Sequence, residues 1–324
     1  MTKCLLLTNG FQNNSLAMKK MIIACVFLLM LTDNTFACDI CGCGVGGNYI
    51  GIMPDFYKHI IGVRCRYNSL LTHIGAGGAS TYLTTTEKYT TTEIWGGWNI
   101  GRKFRIMATI PYSFNSKTAN NKTSSKNGLG DITFLGYYNL LNKRSMVFGS
   151  KLLTHSLWLG GGVKIPTGKY NPTDKQSGTQ NANLFQLGTG SVDYLLNLMY
   201  DIRLQDAGLN ISGGYKFNST NKYHYSYGNK FSGSIQAYYK VKVKKDINFA
   251  PSIGIAYESS KQDIENKFLV DLSGGAIFSG LVGLEIKYKK ISVGGNWQIP
   301  VNQNLANGFV KANNRMMAHI SFIL

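Results

Sequence analysis

Residues 191–203, which read SVDYLLNLMYDIR, decide the fold class of this chain. Every second residue from Val192 is apolar or aromatic, whereas the intervening positions include Asp193 and Arg203. Successive side chains of a β-strand point to opposite faces, so one face of this segment suits hydrocarbon and the other suits water. The pattern is typical of a strand in the wall of a transmembrane β-barrel.

Similar alternation recurs about twelve times between residue 58 and the C-terminus. The connections between these runs are alternately short and long, as in outer-membrane barrels with short periplasmic turns and long outer loops. A soluble β-barrel or sandwich is the alternative, but soluble sheets rarely sustain an apolar outer face over so many strands. The predicted fold class is all-β: a transmembrane antiparallel β-barrel of about 12 strands with both termini in the periplasm. The strands are predicted to start near residues 58, 87, 103, 131, 152, 190, 207, 229, 246, 275, 290 and 311.

The N-terminus carries the features of a secretory signal peptide. A strongly apolar run at residues 21–31 follows Lys19 and Lys20 and precedes Ala37, the last residue of a small-residue cleavage site. Met18 is an alternative start, because Met18-Lys19-Lys20 is an ordinary beginning for such a leader. The predicted location is the outer membrane of a Gram-negative bacterium. The predicted divisions are a signal peptide at 1–37, a Cys/Gly-rich periplasmic segment at 38–57 and the barrel at 58–324.

The chain is strongly basic, with 34 Lys and Arg against 16 Asp and Glu and a net charge of +18. An excess of basic residues of this kind suggests nucleic-acid binding as a possible function. The lysines, however, crowd the predicted turns and loops, and no nucleic-acid motif is present, so no nucleic-acid partner is expected. Charged residues on the inner face predict either a polar pore with mild anion preference or a barrel closed by internal ion pairs. The candidate pore-lining residues are Arg64, Arg105, Asp131, Lys164, Asp193, Lys216, Lys240, Lys242, Glu258 and Glu285.

Three cysteines, Cys38, Cys41 and Cys43, stand together at the start of the predicted mature chain and are followed by glycines. Thiolates select soft metals, so the cluster predicts a site for copper(I) or, as second choice, zinc. Two alternatives stay open: a disulfide from Cys38 to one of the other two, and lipidation of Cys38. Cys65 falls in the lipid-facing register of the first strand and is assigned to the barrel wall.

His224 and Ser226 offer an enzymatic alternative, because some outer-membrane barrels are lipid hydrolases with His and Ser two residues apart on a strand. A spacing of two places both side chains on one face of an extended segment, as nucleophilic catalysis requires. The segment reads as a Tyr-rich loop and offers no third orienting residue. The chain is therefore predicted not to be an enzyme, with lipid hydrolysis kept as a third alternative.

Four segments stand in a characteristic order along the chain: 128–132 (GLGDI), 162–168 (GVKIPTG), 186–191 (QLGTGS) with the nearby Asp193, and 296–301 (NWQIPV). Read in order, they resemble the outer-membrane barrel family named for the meta-pathway of phenol degradation. The Cys-rich N-terminus resembles a Bacteroidetes-type subgroup of that family. The resemblance implies an outer-membrane barrel that moves small molecules, and it supplies no catalytic residues.

The Gly- and Pro-containing pieces stand where strands meet long loops, where such residues set turns or let a loop fold into the mouth. Asp131 and Asp193 are expected to hold these loops by accepting backbone N–H bonds. The predicted function is an outer-membrane pore or transporter for small molecules, linked to copper or another soft metal through the Cys segment. The alternative is a structural barrel that docks a periplasmic metal or redox partner. The expected partners are outer-membrane lipid, a small-molecule or metal substrate, and a periplasmic protein.

Overall fold

The computed structural model describes residues 58–75, 78–147, 149–174, 183–244 and 246–324. Within these residues, twelve long antiparallel strands form the wall of a single closed barrel. The first strand pairs with the last, Ile60 opposite Ile323 and Tyr67 opposite Met316, and this pairing closes the sheet. The strands are β1 Ile60–Thr72, β2 Thr85–Ile100, β3 Phe104–Ala119, β4 Ile132–Val147, β5 Lys151–Ile165, β6 Asp193–Leu204, β7 Ala207–Phe217, β8 Lys230–Tyr239, β9 Ile247–Ser260, β10 Gly275–Tyr288, β11 Ile291–Leu305 and β12 Arg315–Ile323.

Three shorter strands lengthen the wall without adding to its circumference. Lys122–Leu129 precedes β4 and pairs with β3, Val241–Lys244 follows β8 and pairs with β9, and Val310–Ala312 precedes β12 and pairs with β1. Each follows the same path around the barrel as the strand it extends. The predicted strand number and the antiparallel, all-β class are therefore confirmed.

The two rims differ in the length of their connections, as the sequence predicts. On one rim, here called the short-turn rim, strands are joined by tight turns, several of which use a left-handed residue such as Gly101, Gln205 or Lys289. Residues 58 and 324 lie on this rim. The opposite rim, the long-loop rim, carries the connections that follow β1, β3, β5, β7, β9 and β11.

The connection between β3 and β4 differs from the loop that its Ser-, Asn- and Lys-rich sequence suggests. β3 continues to Ala119, turns at Asn120 and Asn121, and returns as Lys122–Leu129. Both asparagines have positive φ angles, 47° and 61°, which is the requirement of a two-residue hairpin turn that Asn tolerates well. The composition of residues 120–129 predicts a loop, but the Asn120-Asn121 turn produces a hairpin of two paired strands.

The outer face is an apolar belt. Side chains at alternate positions of neighbouring strands, such as Ile94 on β2, Ile110 on β3 and Ile253 on β9, are large, apolar and exposed. Aromatic residues predicted to form an interfacial girdle, including Trp98 and Tyr288, are exposed on the same face. Cys65 is exposed there too, as its register predicts. No helix among the described residues is long and apolar enough to cross a membrane.

The inner face near the short-turn rim is packed with large side chains. Trp95, Met107, Tyr137 and Trp158 form one buried cluster with Ile60 and neighbouring residues. Glycines on the adjacent strand make room for them: a Cβ on Gly160 would lie 2.5 Å from the Tyr137 ring. Aromatic and sulfur-containing side chains therefore fill the lumen at this level, where the buried Arg105 stands opposite Tyr137.

Candidate functional site: the lumen and the inward-folded loop

A chain of alternating charges crosses four consecutive strands on the inner face. The Lys164 ammonium lies 2.5 Å from a carboxylate oxygen of Asp131 and 2.8 Å from one of Asp193. The Lys216 ammonium lies 3.2 Å from the same Asp193 oxygen. All four residues are buried, and Asp193 has no exposed surface. Inward-facing positions of β5, β6 and β7, with the residue that precedes β4, place these groups in line, because inward residues of paired strands stand side by side.

Further ion pairs follow the wall on either side of this chain. Arg64 and Arg66 on β1 both pair with Glu93 on β2, and the Arg64 Nε–Glu93 Oε2 distance is 2.7 Å. Arg315 on β12 donates two hydrogen bonds to Glu258 on β9, at 2.9 and 3.0 Å. The lumen is thus lined by paired charges at this level.

The loop between β5 and β6 folds across the mouth of the barrel. Its residues Leu184 and Phe185 pack on a buried cluster formed by inward residues of β1, β2, β10 and β11 together with Ala312. Those strands stand on the far side of the barrel from β5 and β6 in the order of strand pairing. The loop therefore spans the lumen and inserts an apolar pair against the opposite wall. The cluster consists of Leu70, Tyr89, Ile277, Leu305 and Ala312.

Asp131 fastens both arms of this loop to the wall. Its carboxylate accepts the backbone N–H of Gly168 at 3.0 Å on one arm, and that of Thr189 at 2.8 Å on the other. The Thr189 hydroxyl also donates to it, at 3.1 Å, and the Lys164 ammonium completes its partners. Hydrogen bonds to an ionised acceptor are stronger than neutral ones, so this carboxylate anchors both arms of the loop. The predicted loop-holding role of Asp131 agrees with this geometry.

Asp193 does the same for the connection between β7 and β8, accepting the backbone N–H of Ser219 at 3.1 Å. That connection in turn packs on the inward-folded loop. The Tyr227 hydroxyl donates to the Asn183 carbonyl at 2.8 Å, and the Asn183 N–H donates to the Tyr225 hydroxyl at 3.1 Å. Tyr225 also bonds to Asp263 of the next connection. Three connections of the long-loop rim are therefore tied into one assembly over the lumen.

Two cavities lie on either side of the loop. On the lumen side, a polar cavity of about 60 Å³ is lined by Arg64, Glu93, Lys164 and hydroxyl-bearing side chains. On the outer side, a larger cavity of about 780 Å³ opens between the connections of the long-loop rim, with Leu184 and Phe185 among its lining residues. A polar compartment of this size holds a few water molecules, whereas the outer cavity falls within the range of small-molecule sites.

The predicted pore-lining residues fall into two groups. Eight face the lumen and are buried there. Lys240 and Lys242 lie at the short-turn rim, beyond the end of β8, where the Lys240 ammonium stands 5.5 Å from the centre of the Tyr238 ring and Lys242 is exposed. Sequence reasoning did not identify Leu184, Phe185 and Arg315, and the signal for the first two was an apolar pair within an otherwise polar loop. The eight are Arg64, Arg105, Asp131, Lys164, Asp193, Lys216, Glu258 and Glu285.

The candidate metal ligands Cys38, Cys41 and Cys43 lie outside the described residues, so the metal site stays a prediction. The remaining hypothesis concerned His224 and Ser226. His224 has a φ of 57° and closes a turn with Asn221, so the chain is not extended there. The common face on which the lipid-hydrolase alternative depends is therefore missing.

A protein-family model described as "Putative MetA-pathway of phenol degradation" matches residues 71–299, which is more than two thirds of the sequence. The chain belongs to this family. The match includes β2 to β10 and most of β11, and it contains the inward-folded loop with its anchor Asp131. No curated protein sequence matches this one.

Solved structures with the same architecture include the COG4313 outer membrane channel from Pseudomonas putida F1. The two share 13% identity at a TM-score of 0.57, over 85% of this chain and 100% of that one. The β domain of the Bordetella autotransporter BrkA aligns with 82% of this chain and 100% of its own, at 8% identity and a TM-score of 0.48. The likeness to the Pseudomonas putida channel confirms the predicted outer-membrane barrel fold.

Proposed function

We propose that this protein is an outer-membrane pore for small molecules whose lumen is closed by the loop between β5 and β6. The observation that carries the proposal is the crossing of the mouth by Leu184 and Phe185, with Asp131 anchoring both arms of the loop. We infer two states of this loop, one anchored by Asp131 and by the packing of Leu184 and Phe185, and one released. The family and the channel architecture of the Pseudomonas putida structure support a role in passage.

The composition of the wall supports passage of polar solutes once the loop is released. Inward positions of β7, β8 and β9 carry small residues, among them Ser212, Gly214 and Ser252. The opposite walls hold the ion pairs and the polar cavity. A barrel of this strand number encloses a narrower lumen than a sixteen-stranded porin, so the released state has a small conductance.

The charge of the wall favours anions. Arg64 and Arg66 share one acid, Glu93, so this part of the lumen carries an excess positive charge. A ring of basic side chains lowers the barrier for anions and raises it for cations. Reversal potentials across a salt gradient should therefore show anion preference, and strong cation selectivity would contradict this part of the proposal.

The anchor is tested by conductance of the purified barrel in planar lipid bilayers. Asp131→Ala removes the acceptor of both loop arms and should raise the open probability relative to wild type. Asp246→Ala is the matched control, because it removes an exposed aspartate from the short-turn rim and should leave conductance unchanged. Heat-modifiable mobility in gels verifies that each variant is a folded barrel.

Two results would overturn the proposal at different points. Equal conductance of Asp131→Ala and wild type, with folded barrels in both, would show that Asp131 does not hold the lumen closed. Absence of conductance in all three proteins would show that the barrel is not a pore.

A further inference from the structure

The outer cavity of the long-loop rim has the size and lining of a ligand site. It encloses about 780 Å³, within the range in which proteins bind drug-sized molecules. Its walls come from the β1–β2 connection (Tyr82, Leu83), the tip of the β3–β4 hairpin (Ala119) and the β11–β12 connection (Phe309). Its floor is Leu184 and Phe185 of the inward-folded loop.

The cavity is held in shape by contacts between its walls. The Ile74 N–H donates to the Phe309 carbonyl at 3.2 Å, which joins the β1–β2 and β11–β12 connections. The floor rests on the buried cluster that includes Leu70 and Tyr89. The Lys126 ammonium donates to the Phe185 carbonyl at 2.8 Å, which ties the floor to the hairpin. A site formed before its ligand arrives loses less entropy on binding.

Charges in the lining are already compensated by the protein. The buried Glu87 carboxylate lies 3.5 Å from the Lys117 ammonium and accepts hydrogen bonds from Thr72 and Tyr89. Asp174 pairs with Lys126. His73 lies in the connection beyond β1, where burial and then the nearby Lys117 lower its pKa below 6.5, so the imidazole is neutral at pH 7. Among the described residues, the polar part of the lining therefore offers neutral hydrogen-bonding groups and charges that are already paired within the protein.

We propose that this outer cavity binds an uncharged amphipathic small molecule, with its apolar body on Leu184, Phe185 and Phe309 and its polar end toward the Thr72–His73 side. A charged analogue would lose hydration without gaining a partner charge, so it binds more weakly. Because the floor of the site is the apolar pair that closes the lumen, a bound ligand touches the closing element. That consequence for opening rests on the proposed pore function, whereas the binding itself does not.

The test uses three ligands of one shape and different charge: 4-fluorobenzyl alcohol, 4-fluorobenzoate and 4-fluorobenzylammonium. Fluorine NMR line broadening measures their binding to the full chain in detergent micelles. Ala119→Trp places an indole in the cavity from the hairpin side. Ser125→Trp is the matched control, because it adds the same indole at an exposed position of the same hairpin. Both variants experience the same micelles, so their difference isolates the cavity from partition into detergent.

The expected result is binding of the alcohol to wild type and to Ser125→Trp, at least tenfold weaker binding to Ala119→Trp, and at least fivefold weaker binding of both charged analogues. Equal binding of the alcohol to all three proteins would refute the site. Tighter binding of either charged analogue would refute the assigned ligand class. Since binding is measured without transport, a barrel that binds but does not conduct would overturn the proposed function and leave this inference standing.

Discussion

Replacement of Lys164 by methionine tests whether the buried charges of the lumen form one coupled network. Methionine keeps the unbranched apolar stem and removes the ammonium that lies 2.5 Å from Asp131 and 2.8 Å from Asp193. Asp193 retains Lys216 at 3.2 Å, so the carboxylate that loses its cation is Asp131. Both aspartates are buried.

The magnitude follows from what remains around Asp131. Removing one partner of a buried ion pair costs about 3–5 kcal/mol, because the other charge stays buried without compensation. Hydrogen bonds from Gly168 and Thr189 remain and offset part of that cost. The expected loss for Lys164→Met is therefore near the lower limit, about 3 kcal/mol. Lys117→Met is the comparison: its ammonium is about one third exposed and 3.5 Å from the buried Glu87, which keeps hydrogen bonds from Thr72 and Tyr89. Solvent screening of the lysine makes the expected loss of stability smaller than for Lys164→Met.

The assay is urea unfolding of the refolded barrel in detergent micelles, followed by tryptophan fluorescence and by gel mobility. Asp131→Asn, alone and combined with Lys164→Met, completes a double-mutant cycle. Asp131→Asn should recover part of the stability lost in Lys164→Met, since it removes the uncompensated charge. The reasoning is refuted if Lys164→Met costs no more than Lys117→Met, or if the two changes at 131 and 164 are additive.

Three further predictions concern topology, pH and metal binding. An epitope tag at Lys122 should be accessible on intact cells and one at Lys245 should not, because the long-loop rim is expected to face outward; the opposite labelling would reverse the orientation. The lowered pKa of His73 means that the unfolded chain binds a proton first as pH falls through 6.5, so acidification should destabilise the mouth, as hydrogen exchange at pH 5 and 7 would measure. Copper(I) titration should show stoichiometric uptake that the Cys41→Ser, Cys43→Ser double variant loses; a quantitative disulfide and no metal in the native protein would exclude the site.

The barrel wall could be predicted from the sequence because its signal is local. In residues 191–203, even-numbered and odd-numbered side chains lie on opposite faces of the strand. The structure places Tyr194 and Leu196 outward and Asp193 inward. The turn lengths that separate such segments then give the strand number. The β3–β4 hairpin shows the limit of composition: polar residues suggested a loop, although the Asn-Asn turn already favoured two paired strands.

The site was predictable only in part, because it depends on contacts between distant segments. The alternation of inward and outward residues identified Asp131, Lys164 and Asp193 individually as lumen-facing. The family motifs around them suggested that the aspartates hold loops. Nothing local in the sequence shows that Phe185 packs against the wall of β1 and β2, more than 90 residues earlier in the chain. The loop has no periodic pattern of apolar residues, so its path across the lumen can be seen only in the closed barrel.

The two descriptions of the lumen that the sequence left open, a polar pore and a barrel closed by ion pairs, are compatible in this structure. A buried ion pair contributes little net stability, because desolvation consumes most of the attraction, but it penalises any arrangement that leaves one member unpaired. The ion pairs of Lys164 with Asp131 and Asp193 therefore determine the position of the loop more than they add to the stability of the barrel. If the loop moves out and water enters, each charge regains hydration in place of its partner, so release costs less than the short distances suggest. The same residues then line an aqueous path.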